Sequence, residues 1–326
     1  MKKVTGIICW LLVATQAFCQ APSKREIDLA ITTIADLVKE KYVFPEKGEK
    51  IAQRLADSLN NGFFRKVKSW PQFETLCSEL MRTISQDNHM YVKYDSALAR
   101  DLKLRARAPV ADQSDLFYRG DQAERKNFGF TEVRILPGNI GWLRIDEINI
   151  SEKSLPVLHA AMEFVSRTDA LVLDLRYNGG GGSAVGGVLE SYFLDGEMAL
   201  LEFHSDVEGG SMLTTVPKLA KFVYQKPLFI LIGKQTASAA EAVAYVLQHQ
   251  QRATIIGQQS AGAAHMNSFY PLDDKLVVSI STGAPTIPGT SLNWEGRGVT
   301  PDHNIQEGDE LDVVRKTLSD QWQKSD

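Results

Sequence analysis

Residues 226–241 read KPLFILIGKQTASAAE, and this stretch decides the fold. The apolar run at 228–232 has the length of a buried strand and is too short for a helix. Gly233 interrupts the run, and Thr236 or Ser238 is placed to cap a helix that continues through residues 242–247. The stretch therefore predicts a strand, a tight turn and a helix.

Ser238 is the candidate nucleophile of this turn. A serine there holds its hydroxyl at the carboxyl edge of a sheet, where the helix N-terminus favours a developing negative charge. The same residues, SAAE at 238–241, also fit a capping box, in which serine and glutamate only satisfy free backbone amides. This segment alone leaves both interpretations open.

Strands alternate with helices from residue 129 onward. The predicted strands are residues 133–136, 140–145, 170–175, 228–232, 253–256 and 276–280. The predicted helices are residues 155–166, 183–194, 238–247 and 309–322. The first two strands flank a Pro-Gly-Asn turn and form a hairpin. This alternation predicts an α/β domain whose helices cover a largely parallel sheet.

The residues before this domain have a different pattern. Apolar residues recur at helical spacing over residues 23–83, and a loop with His89 then leads into an alternating strand at 90–94. A single loop histidine is most often solvated, so His89 alone is a weak sign of chemistry. About 35 residues separate this strand from the next one, too few for an inserted domain of ordinary size.

The first 19 residues have the features of a signal peptide. Lys2 and Lys3 precede an apolar stretch at 6–13, and Ala17 and Cys19 are small residues spaced for cleavage. We expect an exported protein, periplasmic or extracellular after cleavage, with no membrane span. The predicted organisation is a signal peptide (1–19), a helical domain (20–105), a linker (106–128) and a β/α core (129–326).

Composition limits the class of partner. Removing Lys2 and Lys3 from the 36 basic residues leaves 34 against 40 acidic ones, so no nucleic-acid partner is expected. Cys77 is the one cysteine outside the predicted signal peptide, which leaves no intramolecular disulfide. A hydrophobic fraction of 44% supplies the large core that such a fold needs.

Four consecutive glycines at 179–182 need a chemical explanation. Residues without Cβ let the backbone approach a ligand and direct amides at an anion, although a flexible turn is an equally good interpretation. The sequence contains no G-x-x-x-x-G-K-[ST] or G-x-G-x-x-G phosphate motif. It also lacks H-E-x-x-H and paired Cys/His spacing, so neither a cofactor nor a metal is predicted.

Four segments together resemble one family. They are DLRYNGGG at 174–181, TASAAE at 236–241, IGQQSAGAAH at 256–265 and GVTPD at 298–302. In this order and spacing they resemble the carboxyl-terminal processing peptidases and tricorn-core serine peptidases, over residues 129–305. The helical unit is similar to that of the interphotoreceptor retinoid-binding protein branch. The resemblance implies a crotonase- and ClpP-like β/α core, no PDZ domain, and peptide-bond hydrolysis by Ser238.

The resemblance also separates two branches of the family. Processing peptidases carry a lysine twenty-five residues beyond the serine, and Ala263 occupies that position here, which excludes a Ser–Lys dyad. The tricorn-like branch uses a histidine at the end of the N-terminal unit and a late glutamate, and His89 and Glu295 match those positions. That branch has a serine immediately before the histidine, whereas this chain has Asn88.

The resemblance implies a role for each site residue. His89 is the base for Ser238, and Glu295 orients the imidazole. The expected oxyanion donors are the amide of Ala239 and one amide from Gly180 or Gly181. The expected partner is a peptide or an unfolded protein.

Other polar residues receive structural interpretations. Asp174 and Arg176 are expected to tie the strand end to the glycine loop, and His265 is as well explained as a structural loop residue. The remaining histidines outside the site, expected to be ordinary surface or packing residues, are His159, His204, His249 and His303. Two alternatives stay open: a non-catalytic binder of an apolar ligand or peptide, and an acyl-CoA enzyme of crotonase type, suggested by fold alone.

Overall fold

A computed structural model describes residues 21–106, 121–150, 153–183, 187–194, 196–205, 210–216 and 220–322. The predicted signal peptide lies outside these residues, as do residues 107–120 of the predicted linker. None of the described helices combines the length and the apolar character needed to cross a membrane.

The described α-helices are α1 (Lys24–Lys41), α2 (Pro45–Asn60), α3 (Trp70–Ser85), α4 (Ser96–Arg105), α5 (Asp121–Arg125), α6 (Leu155–Val165), α7 (Ala239–His249) and α8 (Glu310–Trp322). Short 3₁₀ turns occupy Phe63–Lys66, Asn127–Gly129 and Glu190–Tyr192. Side-chain caps fix several helix starts, because free amides at a helix N-terminus need acceptors. Ser23 and Glu26 form a capping box on α1, and Ser69 and Asp95 cap α3 and α4.

The described strands are β1 (Tyr91–Tyr94), β2 (Phe130–Leu136), β3 (Ile140–Ile145), β4 (Ile148–Ile150), β5 (Ala170–Asp174), β6 (Gly181–Ser183), β7 (Ala199–Ser205), β8 (Gly210–Thr215), β9 (Leu228–Ile232), β10 (Thr254–Gly257), β11 (Met266–Pro271), β12 (Leu276–Thr286) and β13 (His303–Asn304). They form a central sheet, a second sheet and the short parallel pair β4–β6.

The central sheet has six strands in the order β13-β10-β9-β5-β3-β2. Its neighbours pair in parallel except β2 and β3, which form the predicted hairpin. Strands β5 and β9 are buried along their whole length, as their unbroken apolar runs require for strands covered on both faces. Helices α6 and α7 cover one face, and α8 packs on the other through Val314 and Leu318.

The second sheet has the path β1-β12-β7-β8, with β11 also paired to β12. Helices α1 to α3 pack on it and share a hydrophobic core with Leu276, Val278 and Ile280 of β12. Strand β1 pairs with the same strand, with Val92 opposite Val278. The N-terminal helices are therefore packed against a strand that lies far along the chain.

The structure confirms the α/β class, with an N-terminal helical region and a sheet core. Between β1 and β2, the described residues form only α4, α5 and a 3₁₀ turn. The predicted helix at 183–194 is wrong, because Ser183 ends β6 and the described residues 187–194 contain no helical segment beyond the short 3₁₀ turn at Glu190–Tyr192. Here Val188, Leu189, Tyr192, Phe193 and Leu194 are all buried, so their apolar pattern reflects burial of an irregular segment.

Candidate active site

Ser238 lies where the polypeptide leaves β9 and enters α7. It is the N-cap residue of α7 and has φ 53° and ψ −121°, a region that residues with a Cβ rarely adopt. Such strain persists only where the surroundings hold it, and it is concentrated at functional sites. The predicted strand, turn and helix are confirmed, with Ser238 rather than Thr236 at the cap.

Thr236 instead fixes the turn before the serine. Its buried hydroxyl donates to the carbonyl of Leu175 at 2.7 Å and accepts from the Gly233 amide at 2.9 Å. The amide of Ala237 donates to the Asn178 carbonyl at 3.0 Å. The turn that holds Ser238 is therefore attached to the end of β5 and the segment that follows it.

The buried carboxylate of Glu241 supports the same turn from the helix side. Its Oε2 accepts from the amides of Ser238 at 2.9 Å and Ala263 at 2.8 Å. Its Oε1 accepts from the Gly262 amide at 2.7 Å and the Ser260 hydroxyl at 2.5 Å. Four donors on one buried carboxylate fix the nucleophile turn relative to the loop that contains Gly262 and Ala263.

The glycine segment packs directly against Ser238. A Cβ on Gly180 would lie 2.7 Å from the Ser238 Cβ and 2.8 Å from the Ala237 carbonyl oxygen, and Gly180 has φ +98°. Only glycine fits this approach. A Cβ on Gly181 would instead meet the carbonyl oxygen of Ile148.

Asn178 holds the glycine segment in place. Its Oδ1 accepts from the Gly180 amide at 2.9 Å, and its Nδ2 donates to the Ile145 carbonyl at 2.9 Å. The Gly180 amide is thus bound to Asn178 in this structure, so the three predicted oxyanion donors are not equivalent. Asn178 is fully buried, which makes its two hydrogen bonds expensive to break.

The segment 87–89 places His89 at the end of the N-terminal helices. Helix α3 ends at Ser85, and its C-cap residue Gln86, with a φ of 55°, turns the chain sharply. Asp87 then accepts the His89 amide on Oδ1 at 2.8 Å, and Ser279 of β12 donates to the His89 carbonyl at 2.6 Å. Asn88 is exposed, and its carbonyl accepts from Arg82.

Asp87 and His265 form a buried pair that the sequence did not predict. The Nδ1 of His265 lies 2.7 Å from Oδ2 of Asp87, across 178 positions of the chain. Burial opposes ionisation of Asp87, but the hydrogen bond and charge of His265 lower the pKa of this carboxyl below its ordinary value. The acidic residue two positions before His89 was the only sequence sign of this pair.

Glu295 reaches the same cluster from the loop after β12. Its Oε2 accepts from the amides of Ala264 at 2.6 Å and His265 at 3.1 Å. The preceding Trp294 is buried and packs on Tyr245 of α7, with ring centroids 4.9 Å apart. Burial raises the pKa of Glu295 above its ordinary value.

His89 and Glu295 each keep one buried polar atom without a hydrogen bond, Nδ1 of His89 and Oε1 of Glu295. The Nδ1 of His89 lies 3.9 Å from Oδ1 of Asp87. Burial lowers the pKa of His89, the charge of Asp87 opposes this shift, and the charges of His265 and Arg82 reinforce it. The imidazole is therefore held toward its neutral form.

The structure brings His89, Glu295, Asp87 and His265 into one cluster. The amides of Ala263 and Ala264, which bind Glu241 and Glu295, connect this cluster to Ser238. Within the described part of the chain, no hydrogen bond joins Ser238 to His89. Arg176 bonds to Asp174 at 2.9 Å and to Glu310 at 2.8 Å, so this pair ties β5 to α8.

The family model described as peptidase family S41 matches residues 139–305, about half of the chain. The chain belongs to peptidase family S41. A second model, the N-terminal domain of peptidase S41 in eukaryotic IRBP, matches residues 21–114. Membership of family S41 places the chain among serine-type peptidases and confirms the family predicted from its motifs.

Curated relatives of this S41 chain match about half of it. The carboxy-terminal-processing protease of Bartonella bacilliformis is 34% identical over 179 residues, which are 52% of this chain and 39% of the relative. Carboxyl-terminal-processing peptidase 2, chloroplastic, of Arabidopsis thaliana is 27% identical over 178 residues, which are 52% and 34%. The chain spans about two fifths or less of the length of these relatives.

Solved structures share the fold. A lipoprotein from Streptococcus agalactiae has a TM-score of 0.60 at 18% identity, covering 97% of this chain and 100% of that one. The photosystem II D1 C-terminal processing protease has a TM-score of 0.54 at 16% identity, covering 86% and 93%. The tricorn protease has a TM-score of 0.55 at 11% identity, covering 91% and 37%.

Proposed function

We propose that this S41 protein hydrolyses peptide bonds through an acyl-enzyme on Ser238, with His89 as the base and Glu295 as the orienting acid. The observation that supports the proposal is that a strained serine and a largely buried histidine lie on connected loops. Ser238 sits in a strained turn at a helix N-terminus, and a desolvated histidine with a free Nδ1 lies in the cluster joined to that turn. A serine hydroxyl is a weak nucleophile without such a base.

In the first half of the reaction, Ser238 Oγ attacks the scissile carbonyl carbon while His89 accepts the hydroxyl proton. The negative charge that forms on the carbonyl oxygen needs preorganised amide donors, each worth about 3–4 kcal/mol. Ala239 supplies one of them at the start of α7. Gly180 or Gly181 supplies the second, and Gly180 does so only by giving up Asn178.

In the second half, His89 returns its proton to the leaving amine as the carbon–nitrogen bond breaks. A water then adds to the acyl-enzyme and gives a proton to His89. His89 returns this proton to Ser238 Oγ as the ester bond breaks, which releases the new carboxyl group. During both steps His89 is transiently charged, and carboxylates stabilise that charge. Glu295 and Asp87 both lie beside it, and Glu295 has the free oxygen.

The proposed substrate is a peptide or an unfolded protein segment, and the proposed location is outside the cytoplasm after removal of residues 1–19. The substrate class follows from the processing-protease names of the relatives. The location follows from the basic and apolar pattern of the first residues.

Labelling with a fluorophosphonate probe, read by peptide mass spectrometry, tests the mechanism. The wild-type chain starting at residue 20 should label on Ser238, and Ser238→Ala should not label at all. His89→Ala should abolish labelling, Glu295→Gln should weaken it, and His303→Ala, at an exposed position, should leave it unchanged. Labelling that survives His89→Ala would contradict the assigned base. No labelling of the folded wild type would favour a binding protein.

A further inference from the structure

The His89 cluster also has the composition of a metal site. One ring nitrogen of His89 and one carboxylate oxygen from each of Asp87 and Glu295 lie within 4.8 Å of one another. Imidazole nitrogen and carboxylate oxygen are ligands that Zn²⁺ and its first-row neighbours accept together. These residues come from positions 87–89 and 295, so no short sequence motif could have indicated the site.

Two atoms of this cluster lack partners. Nδ1 of His89 and Oε1 of Glu295 are buried and make no hydrogen bond. Buried polar atoms are rarely left in this way, because each costs about 1–3 kcal/mol. A cation bound between them would satisfy both atoms, and no existing hydrogen bond would be broken.

The opposite edges of the two carboxylates are already fixed. Oε2 of Glu295 accepts two backbone amides, and Oδ2 of Asp87 accepts from Nδ1 of His265. The Tyr42 hydroxyl lies 3.5 Å from the same Asp87 oxygen. Hydrogen bonds that orient ligand side chains in this way are typical of built metal sites. Oδ1 of Asp87 also accepts the His89 amide, and as a carboxylate oxygen it keeps a second lone pair for an ion.

Binding requires a small contraction. Tetrahedral ligand atoms at about 2.1 Å from Zn²⁺ lie about 3.4 Å apart. The Nδ1 of His89 and Oδ1 of Asp87 are now 3.9 Å apart. Rotation of the His89 ring closes this gap, because its Nδ1 makes no hydrogen bond.

We infer that Asp87, His89 and Glu295 bind a divalent transition-metal ion of the Zn²⁺ class, and that the ion blocks the peptidase by occupying the base. The binding itself does not depend on the proposed function, and only its inhibitory effect rests on it. An ion on Nδ1 of His89 leaves the ring proton on the other nitrogen, so the ring has no lone pair that can accept the Ser238 proton. The metal is thus a reversible inhibitor rather than a participant in hydrolysis.

Metal binding can be measured in the Ser238→Ala background, which removes any catalytic turnover. Titration with Co²⁺, followed by visible absorption, and with Zn²⁺, followed by calorimetry, should give one equivalent of binding. His89→Ala, Glu295→Gln and Asp87→Asn should each weaken binding at least about tenfold. The matched control His303→Ala removes an exposed histidine and should bind unchanged.

The inference would be overturned if the Ser238→Ala protein bound no metal. It would also be overturned if adding His89→Ala or Glu295→Gln left the affinity for the metal unchanged. Glu295→Gln keeps the size of the side chain, and a far-UV circular dichroism spectrum checks that each variant is folded. In the wild type, Zn²⁺ should suppress fluorophosphonate labelling and a chelator should restore it. A protein that binds Zn²⁺ but never labels would contradict the proposed hydrolysis and leave the metal site standing.

Discussion

At Gly180 the nucleophile Ser238 lies so close that no side chain can be added. Gly180→Ala would place a Cβ 2.7 Å from that of Ser238 at a φ of +98°, so either the turn or the glycine segment must move. We expect labelling of Ser238 to fall by at least about tenfold and the free energy of unfolding to fall by about 1–3 kcal/mol.

Gly179→Ala is the matched control, because nothing lies within 4 Å of its Cβ position and its backbone is ordinary. Labelling rate and chemical denaturation should both be close to wild type. Equal effects at 179 and 180 would show that the close approach at Gly180 does not support the nucleophile.

The pH dependence of labelling reports on His89. Burial lowers the pKa of this histidine, so it stays neutral below the ordinary range and protonates only at lower pH. Labelling measured with a chelator present should therefore persist below about pH 6.5. It should be lost as the pH falls through the lowered pKa, because protonated His89 accepts no proton.

Asp87→Asn should shift the loss of labelling in acid to a still lower pH. The Asp87 charge raises the pKa of His89, so removing it lowers this pKa again. Asn88→Ala, at the exposed neighbouring position, should leave this pH unchanged. If labelling of the Asp87→Asn protein were lost at a higher pH than in the wild type, the titrating group would not be His89.

At the scale of elements, α7 depends on the Glu241 carboxylate at its start. Glu241→Gln replaces an acceptor oxygen by a donor, which leaves two of the four donors facing an amide group. We expect a loss of at least about 2 kcal/mol in the free energy of unfolding, together with weaker labelling of Ser238.

Glu79→Gln on α3 provides the comparison, because Glu79 is exposed. Denaturation midpoints of the two variants can be measured side by side. Equal midpoints would mean that the buried carboxylate does not hold the turn.

The strands and helices around Ser238 could be predicted because short unbroken apolar runs indicate strands that are buried on both faces. Strands β5 and β9 are buried on both faces, and Gly233 interrupts the run before α7. Strand β8 was not predicted, since it is exposed along nearly all its length and carries no apolar pattern. Periodicity signals burial, so an exposed edge strand gives little sequence signal.

Beyond Ser238, the site was predicted only as far as the family resemblance extended. Ser238 was a candidate from its strand, turn and helix alone, whereas His89 and Glu295 received their roles from the resemblance. All three roles stay predictions until labelling tests them. The pairing of Asp87 with His265 spans 178 positions and two loops. Such a contact depends on how β1 and β12 align, which no local pattern encodes.

At the scale of the whole molecule, the N-terminal helices share one core with β12. Ile34 of α1 is fully buried in that core, together with Val278 of β12. Ile34→Ala should cost about 2–5 kcal/mol. Since β12 also holds the His89 loop through Ser279, loss of labelling on heating should coincide with loss of secondary structure.

Leu29→Ala removes a side chain of similar size from the exposed face of the same helix, where the leucine is 68% exposed. Its unfolding temperature should stay close to wild type. If the Ile34→Ala protein loses labelling at a temperature well below that at which it loses its circular dichroism signal, the helices unfold separately from the sheet.

The contacts of the His89 loop also determine when activity can begin during synthesis. Asp87 and His89 leave the ribosome early, but their partners His265, Ser279 and Glu295 follow roughly two hundred residues later. A nascent chain that has not reached Glu295 lacks the acid of the proposed mechanism. On the proposed mechanism, the complete site can therefore form only after translation has passed residue 295.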